Sequence, residues 1–348
     1  MPLGEYIFSL SASLIACGIL IIFYRRYRSF FPNRLCGPQT IHDKDVPRIG
    51  GLALLVSTIL AAALFSHMND WLVTSILLAS SLAFFIGFYE DLSDNTSPVF
   101  RLLFSFLPGV TFVFLTKITI TRSGVGFVDE ILSIELVTMF LTVLSITALL
   151  HATNMIDGLN GLASGVGLIS SLTLCTFLVN VEGTQLTILA GVFGFSVLGF
   201  ALLNFWKGAI FLGDGGAYFI GSFLSMSLIA VSEMNTEVSP FAILLTVAYP
   251  FTELVNTIRR RIEVGKSPFL ADDAHFHSLI FRSLREKLNF DLLRINVLSS
   301  SLCLILHGFC CFWAIIHQND TFNLIFGLLV FILGYQSIYL VLGKRSKD

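Results

Sequence analysis

Acids, asparagines and histidines gather in five short stretches of an otherwise strongly apolar chain: HDKDVPRIGG (42–51), GFYEDLSDNTSP (87–98), HATNMIDGLNGLASG (151–165), NFWKGAIFLGDGG (204–216) and GKSPFLADDAHFHS (265–278). Glu90, Asp91, Asp157 and Asp214 supply hard oxygen donors of the kind that hold Mg²⁺. That ion takes few protein carboxylates and completes its octahedron with water and substrate phosphate. Gly213, Gly215 and Gly216 let backbone approach a ligand closely, and a helix starting there would offer its N–H groups to an anion. Lys44, Arg48 and Lys207, with the run Arg259 to Arg261, could neutralise a diphosphate. Together these residue types point to cation-assisted work on phosphates.

Each stretch alone has an ordinary explanation. Glu90 and Asp91 could keep a loop wet beside a helix end, Asp157 could be a turn residue, and Asp214 could cap the helix that follows it. His275 and His277, two apart, do not share a helix face. The arginine run beside an apolar segment reads most simply as a topology signal. Weight comes from the set, because acids at the mouths of four segments converge if those segments bundle.

The elements that must position these residues follow from composition. The chain has 55% hydrophobic and 13% charged residues, with a mean hydropathy of +0.83, far outside the usual soluble range. Crossing a bilayer takes about 20 mostly apolar residues as a helix. Eleven segments qualify, near 5–24, 49–67, 71–89, 99–117, 134–152, 162–180, 185–203, 217–233, 238–258, 293–316 and 322–342. The first carries Glu5 and lacks a basic start and a cleavage site, so it reads as a retained span. The expected fold is all-α and integral to the membrane, one polytopic domain over 1–348.

Cytoplasmic loops carry the Lys/Arg excess. Placing Arg25, Arg26 and Arg28 inside leaves every Lys and Arg except Lys117 and Arg122 at cytoplasmic loops or ends, with the amino terminus outside and the carboxyl terminus inside. All five polar stretches then share the cytoplasmic face. The net charge of -2 gives no reason to expect nucleic acid. Five of the six cysteines lie in apolar segments and Cys36 in a cytoplasmic loop, without metal or disulfide spacing. Phosphate-loop and dinucleotide signatures are absent. A cation-coupled transporter is the alternative class, although transporters usually place their acids near the bilayer midplane. Here only Glu253, with Asn256 one turn on, lies clearly inside a segment.

In order, over about residues 40 to 280, the five stretches resemble the motifs of the polyprenyl-phosphate N-acetylhexosamine-1-phosphate transferases, glycosyltransferase family 4. PRIGG is similar to that family's Pro-Arg-x-Gly-Gly loop, and GFYEDL with the later SP to its acidic-pair loop. HATNMIDGLNGLASG resembles Asn-Ala-x-Asn-x-x-Asp-Gly-x-Asp-Gly-x-Ala. NFWKGAIFLGDGGAYFIG resembles Asn-Phe-x-x-Ala-x-x-Phe-x-Gly-Asp-x-Gly-Ser, and SPFLADDAHFHS resembles Ser-Pro-Phe-x-x-Asp-Arg-x-His-x-His-His.

The resemblance implies transfer of a sugar 1-phosphate from a UDP-N-acetylhexosamine to a polyprenyl phosphate of undecaprenyl type, with release of UMP. It implies Mg²⁺, with Mn²⁺ as a substitute, and a multi-pass enzyme of the cytoplasmic (inner) membrane that starts an O-antigen, capsule or related envelope glycan. Carried over, Glu90, Asp91 and Asp157 are catalytic, Asp214 and Asp91 hold the metal, and Lys44, Arg48, Asn154, Asn160, Asn204, His275 and His277 contact substrate. The membrane lipid is a partner, and a homodimer remains open. Glu90, Asn160, His151, Asp273 and Ser278 stand where Asp, Asp, Asn, Arg and His are common, which disfavours the peptidoglycan branch.

The chemistry also stands apart from the resemblance. A phosphate monoester, with a second pKa of about 6, is already mostly a dianion at neutral pH. It needs relief from anion repulsion more than it needs a base, which favours direct attack over a covalent aspartyl intermediate.

Overall fold

The computed structural model describes residues 3–28, 46–65, 67–93, 97–179, 181, 185–263, 265 and 274–345. Lys44, Asp273 and most of the 265–273 stretch therefore lie outside the described residues. Those described are helix, turn or loop, without a strand.

In chain order the helices are α1 (Leu3–Arg26), α2 (Gly50–Leu64), α3 (Trp71–Leu92), α4 (Pro98–Ser105), α5 (Leu107–Thr116), α6 (Gly126–Ile131), α7 (Glu135–Ile156) and α8 (Leu162–Phe177). They continue as α9 (Leu186–Lys207), α10 (Gly213–Met234), α11 (Pro240–Thr246), α12 (Ala248–Glu263), α13 (Phe276–Lys287), α14 (Leu292–Ile316) and α15 (Thr321–Arg345). Each of the eleven apolar segments falls on a helix or on a consecutive pair of helices. By length and composition the count is lower than eleven. Among the described residues eight stretches can cross a bilayer, α4 with α5 counting as one, and nine if α11 and α12 form a single bent span. The apolar helices α2 and α8 fall short, at 15 and 16 residues.

Two local features explain the breaks. Between α11 and α12 the axis turns by 74°. The Thr246 carbonyl freed there accepts the Ser170 hydroxyl at 3.2 Å, so the break leaves no bare acceptor in an apolar setting. Pro98 and Pro240 sit in the first turns of α4 and α11, where a missing N–H costs nothing, behind the caps Ser97 and Ser239.

α10 is the axis of the bundle. Its apolar window is wholly enclosed, whereas only 17% of that of α1 and 22% of that of α15 is covered, so those two lie at the outside of the bundle. Enclosure follows from small residues, which let backbones close in when apolar attraction between helices is weak. A Cβ on Gly221 would sit 2.7 Å from the Leu150 Cα in α7, and one on Gly51 would overlap Gly216. α10 accordingly touches α2, α3, α7 and α8.

Candidate active site

The site forms where the N-terminus of α10 meets the C-termini of α3 and α7. Glu90 and Asp91 occupy the last turn of α3, and Asp157 caps the end of α7. Acids at helix C-termini face the negative end of the dipole and are locally disfavoured, so something nearby must compensate. The start of α10 does so. Asp91 accepts the N–H of Asp214 at 3.0 Å on one oxygen and that of Gly215 at 2.9 Å on the other. The helix is thus capped from a neighbour, and Asp214 sits in its first turn instead of capping it. Gly213 makes the approach feasible. It adopts φ +77°, and a Cβ there would lie 2.6 Å from the Arg48 carbonyl and 2.7 Å from Asp91 Oδ2.

Glu90, one residue back, turns the other way. Its buried carboxyl takes the Arg101 guanidinium at 2.8 Å, has the Tyr218 hydroxyl at 3.5 Å, and comes within hydrogen-bonding reach of the Asp214 carboxyl. Neighbouring carboxylates repel, and a cation between them would relieve that repulsion. The residues therefore fit a divalent ion, with Asp214 and Glu90 as donors. Among the described residues no three His, Cys, Asp or Glu side chains make a protein-only cage. Asp91 accepts two backbone N–H groups, and the Glu90 carboxyl lies beside that of Asp214.

Asp157, half-buried, feels Arg48, Asp214 and Asp91. Burial pushes its carboxyl well above the usual range, opposed by Arg48 and reinforced by the two acids. Exposed Arg48 and buried Glu90 with Arg101 thus bracket the cluster with positive charge on two sides.

The five polar stretches are joined by direct contacts. Phe211 N donates to Pro47 O at 2.8 Å, Gly50 N to Phe211 O at 2.9 Å and Gly51 N to Leu212 O at 2.9 Å, which zips PRIGG to FLGDGG. Asp91 ties the acidic pair to the same turn. Asn204 accepts Gly161 N at 2.5 Å and donates to Ile210 O at 2.7 Å, lacing DGLNG to the start of α10. His277 closes the set, since a Cβ on Gly158 would overlap its Nε2.

Several expected substrate contacts look different in this setting. Both ends of the Asn204 amide go to backbone, so its work is to hold loops. Asn160 is buried, with its N–H on Asn296 at 2.9 Å and its carbonyl on Ser300 at 2.8 Å, while its amide nitrogen lacks a partner among the described residues. Asn154 is half-exposed, and its carbonyl accepts Asp157 N. His275 and His277 are buried, with rings 5.5 Å apart and nearly parallel. Burial, and then His275, pulls the His277 ring down to about 3, with Glu253 opposing, so it meets a ligand as a neutral ring. Exposed Lys207 ends α9, Arg259 pairs with Glu263 at 3.5 Å and Arg260 donates to Tyr339.

A sequence profile of glycosyl transferase family 4 matches residues 73–232, a stretch that holds Glu90, Asp91, Asp157 and Asp214. Over 244 residues the chain is 28% identical to the probable undecaprenyl-phosphate N-acetylglucosaminyl 1-phosphate transferase of Bacillus subtilis, covering 69% of this chain and 66% of that protein. Over residues 73–232 the chain is similar to glycosyl transferase family 4. The chain is also 29% identical over 243 residues to the undecaprenyl-phosphate alpha-N-acetylglucosaminyl 1-phosphate transferase of Thermotoga maritima, covering 70% of each. To the protein of that name in Escherichia coli it is 25% identical over 247 residues, covering 70% of this chain and 67% of that one. The matched stretches thus cover about two thirds of these relatives. Arg101 and Tyr218 escaped the sequence reading, while His151, noted there as standing where Asn is common, reaches Ser105 Oγ at 2.9 Å and Tyr218 at 3.5 Å. Of these two, Arg101 left a signal, as a charge near the start of an otherwise apolar segment.

Proposed function

We propose that this protein transfers a sugar 1-phosphate from a UDP-N-acetylhexosamine to polyprenyl phosphate, releasing UMP, as the first step of an envelope glycan. The observation that carries this reading is the meeting of Glu90 and Asp91 with the start of α10, where Asp91 holds the N–H groups of Asp214 and Gly215 and Arg101 pairs with Glu90. It is a place that calls for a cation and welcomes phosphate. Relatives named as polyprenyl-phosphate phosphotransferases support the chemistry over transport. So does the location of the acids, which lie at helix ends instead of mid-span.

Asp214 and Glu90 would hold the metal, with Asp91 fixing the turn that carries Asp214. A bound Mg²⁺ supplies relief of repulsion between the two phosphates and stabilises the leaving oxygen. Arg101 orients the acceptor phosphate from the Glu90 side, and Arg48 meets the donor diphosphate beside Asp157. A lipid phosphate oxygen attacks the phosphorus bearing the sugar, one P–O bond forms, and the anhydride bond to UMP breaks. Lys44, Asn154 and Asn160 complete the donor pocket, and Asn204 keeps its two loops in register.

Membranes containing the protein, given Mg²⁺, polyprenyl phosphate and UDP-N-acetylglucosamine or UDP-N-acetylgalactosamine, should yield a solvent-extractable sugar lipid and UMP. Release of UDP, or transfer that survives chelation, would overturn the reading.

The topology proposed with it has eleven crossings, the short α2 and α8 among them, the amino terminus outside and the site on the cytoplasmic face of the inner membrane. Cysteines placed at Ser93 and at the exposed Lys207 in a cysteine-free background should resist an impermeant thiol reagent in intact cells and react after permeabilisation. Labelling of either in intact cells refutes the shared face.

A further inference from the structure

Glu253 lies in α12 just past the break, wholly buried, in a setting where an acid is costly unless its oxygens are met. They are met by three donors: His275 Nδ1 at 2.9 Å, the Phe276 N–H at 3.3 Å, and the Tyr335 hydroxyl of α15 at 2.5 Å. A carboxyl facing three donors accepts from all of them, which assigns the His275 hydrogen to Nδ1 and leaves Nε2 for another partner. Because Phe276 N is the first N–H of α13, the same carboxyl also holds the start of that helix.

The line continues into the site. His275 lies parallel to His277, and His277 Nε2 presses on Gly158, beside Asp157. α15 grips the same region twice more, with Tyr339 donating to Ala274 O at 3.1 Å and Gln336 to Asn256 at 2.7 Å. No role in the transfer chemistry described above uses Glu253 or Tyr335, and both lie beyond the 73–232 family match.

Building on the transferase reading, we propose that Glu253 is a positioning residue for the His275–His277 pair and that Tyr335 locks it, so that the peripheral helix α15 sets how the histidines meet the donor diphosphate. Loosening the lock weakens donor binding and leaves acceptor binding alone. A ligand-orienting partner one step behind the site is typically worth 10- to 100-fold in activity.

The test uses the purified full-length protein with Tyr335→Phe, which removes one oxygen, and with Glu253→Gln and Glu253→Asp. Tyr335→Phe should raise KM for the UDP-sugar about five-fold, with kcat within about two-fold and KM for the lipid phosphate unchanged. Glu253→Gln should lower kcat/KM about 30- to 100-fold, and Glu253→Asp should restore part of it. Diethyl pyrocarbonate, followed by mass spectrometry, should modify His275 and His277 faster in Tyr335→Phe and Glu253→Gln. Wild-type donor KM and wild-type labelling in both overturn the proposal, as does a change confined to thermal midpoint. Accelerated labelling in a protein whose wild type releases no UMP from any UDP-sugar would retain the histidine anchor and defeat the transferase reading instead.

Discussion

Asp214→Asn is expected to cut transfer by at least about a thousand-fold while leaving the protein folded and at normal abundance in the membrane, because a neutral amide is a far poorer Mg²⁺ donor than a carboxylate. The fold has little reason to suffer. α10 takes its cap from Asp91, so the Asp214 side chain bears none of that task. Its carboxyl instead crowds that of Glu90. Removing one of two opposed carboxyls relieves repulsion, so the thermal midpoint in chelator should hold or rise as activity vanishes, the pattern of a site kept at a cost in stability. UMP release in membranes, normalised to protein by immunoblot, measures the first effect, and a melting curve in detergent the second. Activity above about a tenth of wild type at saturating Mg²⁺ removes the metal role.

A single methyl on α3 should do comparable damage by another route. A Cβ at Gly87 would stand 2.5 Å from the Asp214 carbonyl oxygen, 2.6 Å from its carbon and 2.7 Å from Gly215 N. All three are backbone atoms, which cannot rotate aside. Gly87→Ala must therefore push α3 off α10, costing about 1–3 kcal/mol. The same shift separates Asp91 from the two N–H groups it caps and Glu90 from Asp214. Displacement by about 1 Å is enough to lower turnover about a hundred-fold. Gly18→Ala in α1 and Gly334→Ala in α15 are the controls, since no atom lies within 4 Å of a Cβ at either position. Equal activity and equal melting for Gly87→Ala and these controls would contradict the close approach.

The sequence reveals where the helices lie more readily than how they run. Hydropathy places each of the eleven apolar segments on helix, because the bilayer demands apolar length and little else. It does not reveal that Thr246 ends one helix and Ala248 begins another, since the residues around the bend are apolar on both sides and Pro250 falls in the first turns of α12. The polar loops are legible for the opposite reason: in so apolar a chain each acid is conspicuous. Their individual roles are not. Glu90 and Asp91 are neighbours in sequence but point about 100° apart on a helix, and only packing decides that one meets Arg101 and Asp214 while the other meets backbone. Asn204 looks like a ligand and serves as a tie, because an amide suits both tasks. Arg101 and Tyr218 join the site from positions whose surroundings read as ordinary membrane helix.

The zipper between PRIGG and FLGDGG bears on how the molecule is made. Its two sides stand about 160 residues apart in the chain, and Asp91 likewise waits for amides that come more than a hundred residues later. During synthesis the first helices therefore enter the membrane with Asp91 and a glycine loop that have nothing to hold. Until α10 emerges they present unpaired polar groups at the bilayer edge, a half-built surface that quality-control proteases or a holding factor would meet first. Arrival of α10 closes every one of these contacts in a single event, so a nascent chain stopped before residue 213 and one stopped after α10 should differ sharply in protease resistance.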